Sequence, residues 1–189
     1  MRIAGIVEDS IVDGEGMRFV VFTQGCVRLC PGCHNPQTQN PNGGYEISVD
    51  ELFERVSRNP LCDGITLSGG EPFAQSAECA ELARRVKAIG KNVWCYSGYT
   101  LEELQETAGE TTRKHKKSIG FVPGQLFIED DLGDHVAPNE IADLLDAIDV
   151  LVDGMFIMEQ KSLTLKWRGS ANQRILEQYK PKKWRICND

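Results

Sequence analysis

The stretch ITLSGGEPFAQSAECAELARRVKAIGKNVWCY, residues 65–96, decides the fold class of this chain. Ile65-Thr66-Leu67 is a short apolar run ending at Ser68-Gly69-Gly70, which reads as a buried strand closed by a glycine turn. From Ser76 to Ile89 the apolar residues Ala77, Ala80, Leu82, Ala83, Val86 and Ile89 recur at helical spacing, and Gly90 stops the helix. Asn92 to Tyr96 reads as the next strand. Strand, helix, strand in this order is the unit of a parallel sheet with right-handed crossovers.

The same rhythm extends outward. Ile3 to Val7 is a short strand, and Met17 to Thr23 a stronger, β-branched and aromatic one, with Asp13-Gly14-Glu15-Gly16 turning between them. Ser48 caps a helix over Asp50 to Arg58, and Thr100 caps one from Leu101; Glu51 and Glu103, three residues on, complete capping boxes. Ile141 to Ala147 is helical, and Asp149 to Val152 is a strand ending at Asp153-Gly154. About four to six strands are expected, too few for an eightfold barrel. The expected fold is therefore α/β, an open or partial (βα) barrel over a single domain, residues 1–189. Ligands in such folds gather at the carboxyl ends of strands. Here those ends carry Gly69-Gly70-Glu71, Tyr96-Ser97-Gly98 and Asp153-Gly154.

Residues 109–138 break the rhythm and read as a solvated insertion on the rim. It holds the basic run Arg113-Lys114-His115-Lys116-Lys117 and a hairpin candidate from Phe121 to Ile128 around Pro123-Gly124. Neither His115 nor His135 has a catalytic partner at a useful spacing, and Trp94 within its strand reads as core.

With 28 acidic against 21 basic residues the net charge is -7, which excludes a generally basic nucleic-acid coat. Apolar residues at 41% and charged ones at 26% exclude a disordered chain. No run of about 18 apolar residues is present, so no membrane span is expected. The opening residues bring in acids before any long apolar stretch, unlike a secretory signal. A cytoplasmic protein is expected, so its seven cysteines are not expected in disulfides, and the clustered ones read as metal ligands or redox groups.

Three of those cysteines fall in a long Gly/Pro/Asn-rich loop, Gly25-Cys26-Val27-Arg28-Leu29-Cys30-Pro31-Gly32-Cys33-His34-Asn35-Pro36. A c-type haem would use Cys30 to His34, but it requires export and leaves Cys26 unexplained. A redox dithiol at Cys30-Pro31-Gly32-Cys33 should open a helix, not sit in a loop. Structural zinc closes with four ligands, and neighbouring Cys33 and His34 could hardly both point at one ion. Cys62, Cys79, Cys95 and Cys187 are scattered singly and read as small core residues. Three closely spaced thiolates suit three corners of an iron–sulfur cube, whose fourth iron then keeps an open, catalytic position.

The spacing C-x3-C-x2-C resembles the signature of the radical S-adenosylmethionine superfamily. Asp13-Gly14-Glu15-Gly16-Met17-Arg18 and Cys33-His34-Asn35-Pro36 resemble its glycyl-radical-enzyme activases. Ile65 to Pro72 is similar to their second motif. Val93 to Thr100, Asp149 to Gly154 and Trp167-Arg168-Gly169-Ser170-Ala171-Asn172-Gln173-Arg174 resemble the branch acting on anaerobic ribonucleoside-triphosphate reductase. The resemblance covers residues 5–108 and 141–176.

The resemblance implies a [4Fe-4S] cluster on Cys26, Cys30 and Cys33, which are its metal ligands and catalytic centre. It implies S-adenosylmethionine against Gly32, Cys33, His34, Gly69, Gly70 and Glu71. Backbone at Gly32, Cys33 and His34 would meet the adenine, and Glu71 would accept from the ammonium group. Many superfamily members carry an aromatic residue where Gly32 stands. It further implies reductive cleavage to a 5′-deoxyadenosyl radical and a glycyl radical raised on the large subunit of anaerobic ribonucleoside-triphosphate reductase. Flavodoxin or ferredoxin would be the electron donor; neither nucleic acid nor membrane is an expected partner. The rival activities are activation of another glycyl-radical enzyme, such as pyruvate formate-lyase, and radical chemistry on a small molecule. Asp153 stands where some related activases bind a monovalent cation, but Tyr96 and Ser97 replace the acid those relatives offer beside it. His34 is expected to pack beside the cluster.

The C-terminal segment, residues 160–189, is locally basic. From Gln160 to Arg185 it carries eight basic residues against the single acid Glu177. This asymmetry points to a partner surface, with Arg168, Asn172, Gln173 and Arg174 as donors; the alternatives are a solvated face with Trp167 as a core anchor, or a segment closing over S-adenosylmethionine.

Overall fold

The computed structural model describes residues 1–109 and 136–187, together with the backbone of 121–122 and 125–126. Its strands and helices run β1 (Arg2–Ser10), β2 (Arg18–Thr23), β3 (Tyr45–Glu46), α1 (Val49–Arg58), β4 (Gly64–Gly69), α2 (Ser76–Ala88), β5 (Asn92–Tyr96), α3 (Leu101–Thr107), β6 (Phe121–Val122), β7 (Gln125–Leu126), α4 (Pro138–Ala147), β8 (Val150–Asp153), β9 (Arg174–Lys180) and β10 (Lys183–Ile186). Eight strands form one mixed sheet in the order β10-β9-β8-β5-β4-β2-β1-β3. Its centre, β2-β4-β5-β8, is parallel, as the βα rhythm requires.

The sheet is wider than the four to six strands expected. The extra strands are antiparallel edges: β3 on β1, β1 on β2, and the β9–β10 hairpin on β8. Antiparallel neighbours need no crossover helix, so these strands leave no βα period in the sequence. The C-terminal segment, read in the sequence for its basic charge alone, thus contributes a hairpin to the sheet. Ile175 and Leu176 on β9 are buried, with Leu176 in the main core and Ile175 against Trp94 and Val152.

Helices α1 and α3 start at the expected caps, though only half of the box expected at Ser48 and Glu51 forms. Ser48 Oγ accepts from the Glu51 N–H at 3.1 Å to start α1. At α3 both halves of the box are present: Thr100 Oγ1 accepts from the Glu103 N–H, and the Glu103 carboxylate accepts from the Thr100 N–H. The apolar face of α2 is fully buried through Cys79, Leu82, Ala83 and Val86, and α2 packs against both α1 and α4. Burial of four such side chains contributes several kcal/mol, at about 25 cal/mol per Å² of apolar surface. Cys62, Cys79 and Cys95 are buried core residues as expected; Cys187 is only half-buried, at the margin of the Trp94 group.

Of the expected insertion, Phe121–Val122 pairs antiparallel with Gln125–Leu126, as a hairpin does. Val136, at its end, is buried in the main core rather than solvated. The basic run 113–117, His115 and His135 lie outside the described residues.

Candidate functional site

One cavity of about 440 Å³ opens at the carboxyl ends of the parallel strands. The cysteine loop brings Cys26, Cys30, Cys33 and His34 to it; β4 brings Ser68, Gly69 and Gly70; β5 brings Tyr96, Ser97 and Gly98. Gly154, Phe156, Trp167 and Arg168 line it from the segment between β8 and β9, and Asp13 from the β1–β2 turn. The three strand ends singled out in the sequence all reach the cavity, but Glu71 and Asp153 at two of them do not line it.

The loop leaves β2 at Thr23 and is tied down at its two ends. Gly25 N–H donates to Thr38 O (2.7 Å) and Cys26 N–H to Gln39 O (3.1 Å), while Gly25 O accepts from Glu71 N–H (2.9 Å). Gly70 is glycine because its Cα lies against the Gly25 peptide, which a Cβ would strike. Gly69, at φ +98°, lies as close to the backbone of Phe22 and Thr23. The glycine pair thus lets the cysteine loop and the end of β4 touch, backbone to backbone.

All three loop thiols are free and half-buried. Burial, and then the nearby Glu71 carboxylate, push the Cys26 thiol up to about 12. Burial also raises Cys30, opposed by an N–H from Phe156. Asn35 N–H donates to Cys33 Sγ at 3.4 Å. Among the described residues no three His, Cys, Asp or Glu side chains stand close enough to hold a single metal ion. Three thiols lining one cavity without converging on a point fit a larger, polynuclear group better than a lone zinc. Loading it would expel the thiol protons.

Glu71 departs from the expected role. It is 1% exposed and does not line the cavity. Its Oε1 accepts from Phe73 N–H (3.1 Å) and Ser97 Oγ (3.0 Å), and its Oε2 from Gly98 N–H (2.9 Å). Burial raises its carboxyl to about 7 against those hydrogen bonds. Its acceptor sites bind β5 to β4 instead of facing an ammonium group. Gly32 also lies outside the cavity wall; at φ +71° its Cα is packed against Met158, next to Phe156. His34 packs on the Phe156 ring with centroids 4.7 Å apart, as expected of a packing residue.

Arg174 is likewise not a free partner-facing donor. Its guanidinium meets Asp153 at 3.0 and 2.5 Å and Glu102 at 3.0 and 2.6 Å, which raises its pKa further. Asp153, 1% exposed, also accepts from Leu101 N–H at 2.8 Å. The ion pair locks β9 to β8 and to the start of α3. Asn172 and Gln173 are committed within the chain as well, donating to Met155 O and Gly154 O. Trp167 is an anchor, edge-on to Trp94 at 5.1 Å, yet it also forms cavity wall.

Sequence reasoning missed Arg28 and Phe156 as site residues. Arg28 could have been noticed as a cation inside the cysteine spacing. Phe156 carried no signal, because its role depends on the β8–β9 segment folding over the loop.

Residues 12–176 match the family model described as a 4Fe-4S single cluster domain, which defines the class as iron–sulfur proteins of one cluster. The chain is 33% identical over 177 residues to the anaerobic ribonucleoside-triphosphate reductase-activating protein of Vibrio cholerae, covering 87% of this chain and 90% of that one. It is 33% identical over 173 residues to the protein of that name from Escherichia coli K12, covering 86% and 90%. The like-named protein of Enterobacteria phage T4 is 29% identical over 173 residues, covering 87% and 86%. The chain belongs to the family of anaerobic ribonucleoside-triphosphate reductase-activating proteins.

Proposed function

We propose that this chain activates an anaerobic ribonucleoside-triphosphate reductase by raising a glycyl radical on its large subunit, with S-adenosylmethionine as cosubstrate. The observation that carries the reading is that Cys26, Cys30 and Cys33 line the same cavity as the Gly69-Gly70 strand end. Cys26, Cys30 and Cys33 hold the [4Fe-4S] cluster, and the fold is a partial (βα) barrel of the radical S-adenosylmethionine type. The bound cluster supplies one electron and an open iron position for cleavage of S-adenosylmethionine to methionine and a 5′-deoxyadenosyl radical, which takes a hydrogen atom from the partner's glycine Cα.

The chain's own residues hold and orient. Backbone at Gly69 and Gly70, stripped of side chains, lets the methionine end approach closely. Backbone at Cys33 and His34 meets the adenine, with Gly32 setting the turn behind them. Glu71 acts behind the wall, holding Ser97 and Gly98 in place. Flavodoxin or ferredoxin delivers the electron, and the protein works in the cytoplasm. Among the described residues no helix is long and apolar enough to cross a membrane.

The test is to load the chain with iron and sulfide anaerobically and reduce it with S-adenosylmethionine present. 5′-Deoxyadenosine should form, and adding the reductase should produce a stable glycyl radical by electron spin resonance. Formation of 5′-deoxyadenosine without a radical on the reductase would assign the chain to another substrate.

A further inference from the structure

The floor of the cavity is a row of side chains in register across the parallel strands. Phe22 on β2 pairs with Ser68 on β4, and Tyr96 on β5 pairs with Val152 on β8. Leu67 pairs with Cys95, so Ser68 and Tyr96 follow as neighbours on strands about 5 Å apart. Leu67 and Cys95 belong to the main core under the helices, and the alternation turns Ser68 and Tyr96 to the other face, where both line the cavity. Thr66, two residues deeper on β4, is a hydroxyl that the chain itself satisfies. Its Oγ1 donates to Asp13 O at 2.7 Å and accepts from Arg18 Nε at 3.2 Å. Ser68 Oγ and Tyr96 Oη make no hydrogen bond with any described residue, although Ser68 is only 8% exposed, and neither oxygen is sealed from the cavity. A buried hydroxyl without a partner is uncommon and calls for an explanation.

Several polar groups nearby are taken up within the chain. Ser97 Oγ is held on Glu71, Gln173 on Gly154 O and on the Gly169 and Ser170 N–H groups, and Arg28 on Gly98 O and Glu103. Asp13, the one carboxylate lining the cavity among the described residues, accepts from Ser10 Oγ at 2.5 Å. Beneath the floor, all five N–H groups of buried Arg18 are spent on Thr66, Ile65, Glu15 and Asn92. Burial pushes the Tyr96 phenol up, so it keeps its proton and can donate. The floor row thus presents two adjacent neutral O–H groups. They suit an uncharged acceptor with two lone pairs, which a peptide carbonyl is.

We infer that Ser68 and Tyr96 are substrate-binding residues: their hydroxyls donate to a backbone carbonyl of the reductase segment that carries the reacting glycine. The inference rests on the proposed activase reading and deepens it. Glycine has no side chain, so a site that selects it must read the peptide groups around it. S-adenosylmethionine is the other source of oxygen acceptors in the cavity. With its methionine end at Gly69-Gly70 and its adenine at Cys33 and His34, only its ribose is left to reach the floor row. A ribose diol is read best by a carboxylate, and the floor row holds none.

The experiment takes the reconstituted full chain with a reductant, S-adenosylmethionine and the reductase, and follows the rate of glycyl radical formation by electron spin resonance as each substrate's concentration is varied. The wild-type chain must form the radical; failure there overturns the activase reading itself. Tyr96→Phe and Ser68→Ala each remove one oxygen. In each, the reductase concentration giving half the maximal rate should rise about two- to tenfold, the worth of one neutral hydrogen bond, while the corresponding S-adenosylmethionine concentration moves less. The double variant should raise the reductase value further. A larger rise for S-adenosylmethionine than for the reductase would give the hydroxyls to the ribose and overturn the inference, and no rise in either would reduce both residues to packing. Should Tyr96→Phe fail to fold or to hold iron, Ser68→Ala decides: a rise for the reductase supports the inference, and its absence overturns it.

Discussion

Two loop regions wall the cavity. Residues 25–39 do so on short-range logic: closely spaced thiols, glycines and prolines, pinned by a few backbone bonds at Gly25 and Cys26 and by Arg28. Residues 154–173 reach the cavity between two paired strands, β8 and β9, and are held by Arg174 on buried Asp153 and by Asn172 and Gln173 on the β8 exit. The first region carries its chemistry in its spacing. The second carries basic side chains that look available in the sequence and are committed in the fold. A charged run is thus a weak sign of a partner surface until the carboxylates it meets are known.

The contrast predicts a separation of effects. Cys26→Ala, Cys30→Ala or Cys33→Ala should each abolish the intact cluster and S-adenosylmethionine cleavage, while Cys62→Ala or Cys187→Ala should leave iron content near normal. Iron assay and visible absorption on matched preparations check this. Equal loss from Cys187→Ala would put a ligand in the C-terminal segment and erase the contrast.

Glu71 gives the next largest effect, read on the iron-free chain. Folded Glu71 keeps its proton to about 7, whereas an exposed glutamate loses it near 4.5. Between those values the folded chain binds more protons than the unfolded one, so this group makes stability fall as pH rises through that window. At 1.36 kcal/mol per unit the fall is about 3 kcal/mol. Glu71→Gln should flatten that slope in urea melts between pH 4.5 and 7, at the cost of the bond from Gly98 N–H. An unaltered slope would mean that Glu71 titrates as an exposed carboxylate.

Arg174→Ala should destabilise the chain by about 2 kcal/mol, because it strands the buried Asp153 carboxylate. That figure lies below the range for a fully buried pair because the Arg174 side chain is 30% exposed. Asp153→Asn together with Arg174→Ala should restore part of the loss. A fully stable Arg174→Ala that lost only glycyl radical yield would return this residue to the partner surface.

The smallest effect belongs to Thr100, where the two regions' supports meet at α3. Thr100→Ala removes the cap oxygen and should cost about 1 kcal/mol in thermal melts. Its iron content should be unchanged, since Cys26, Cys30 and Cys33 all lie outside α3. A drop in iron would show that the start of α3 positions the cysteine loop.

The parallel centre of the sheet, the helix starts at Ser48 and Thr100, and the cysteine loop were all legible in the sequence. Each depends on residues within a few positions of one another: a period, a cap, a ligand spacing. Glycine turns at 69–70 were legible for the same reason. The orientation of Glu71 was not, because the Gly69-Gly70-Glu71 string fixes the backbone turn but not which neighbour fills the carboxylate. Its acceptors are taken by Ser97 and Gly98, which lie 26 and 27 residues away.

What the sequence determined by itself is the α/β class, the three thiols and their loop, and the strand ends at which a site must form. Only the tertiary structure decided which polar groups remain available there. Arg174 and Asp153 are 21 residues apart, and Arg28 and Gly98 are 70 apart. Such pairs form only when sheet order brings their elements together, and a side chain's chemistry is settled by what lies within hydrogen-bond reach, about 3 Å, of its last atoms.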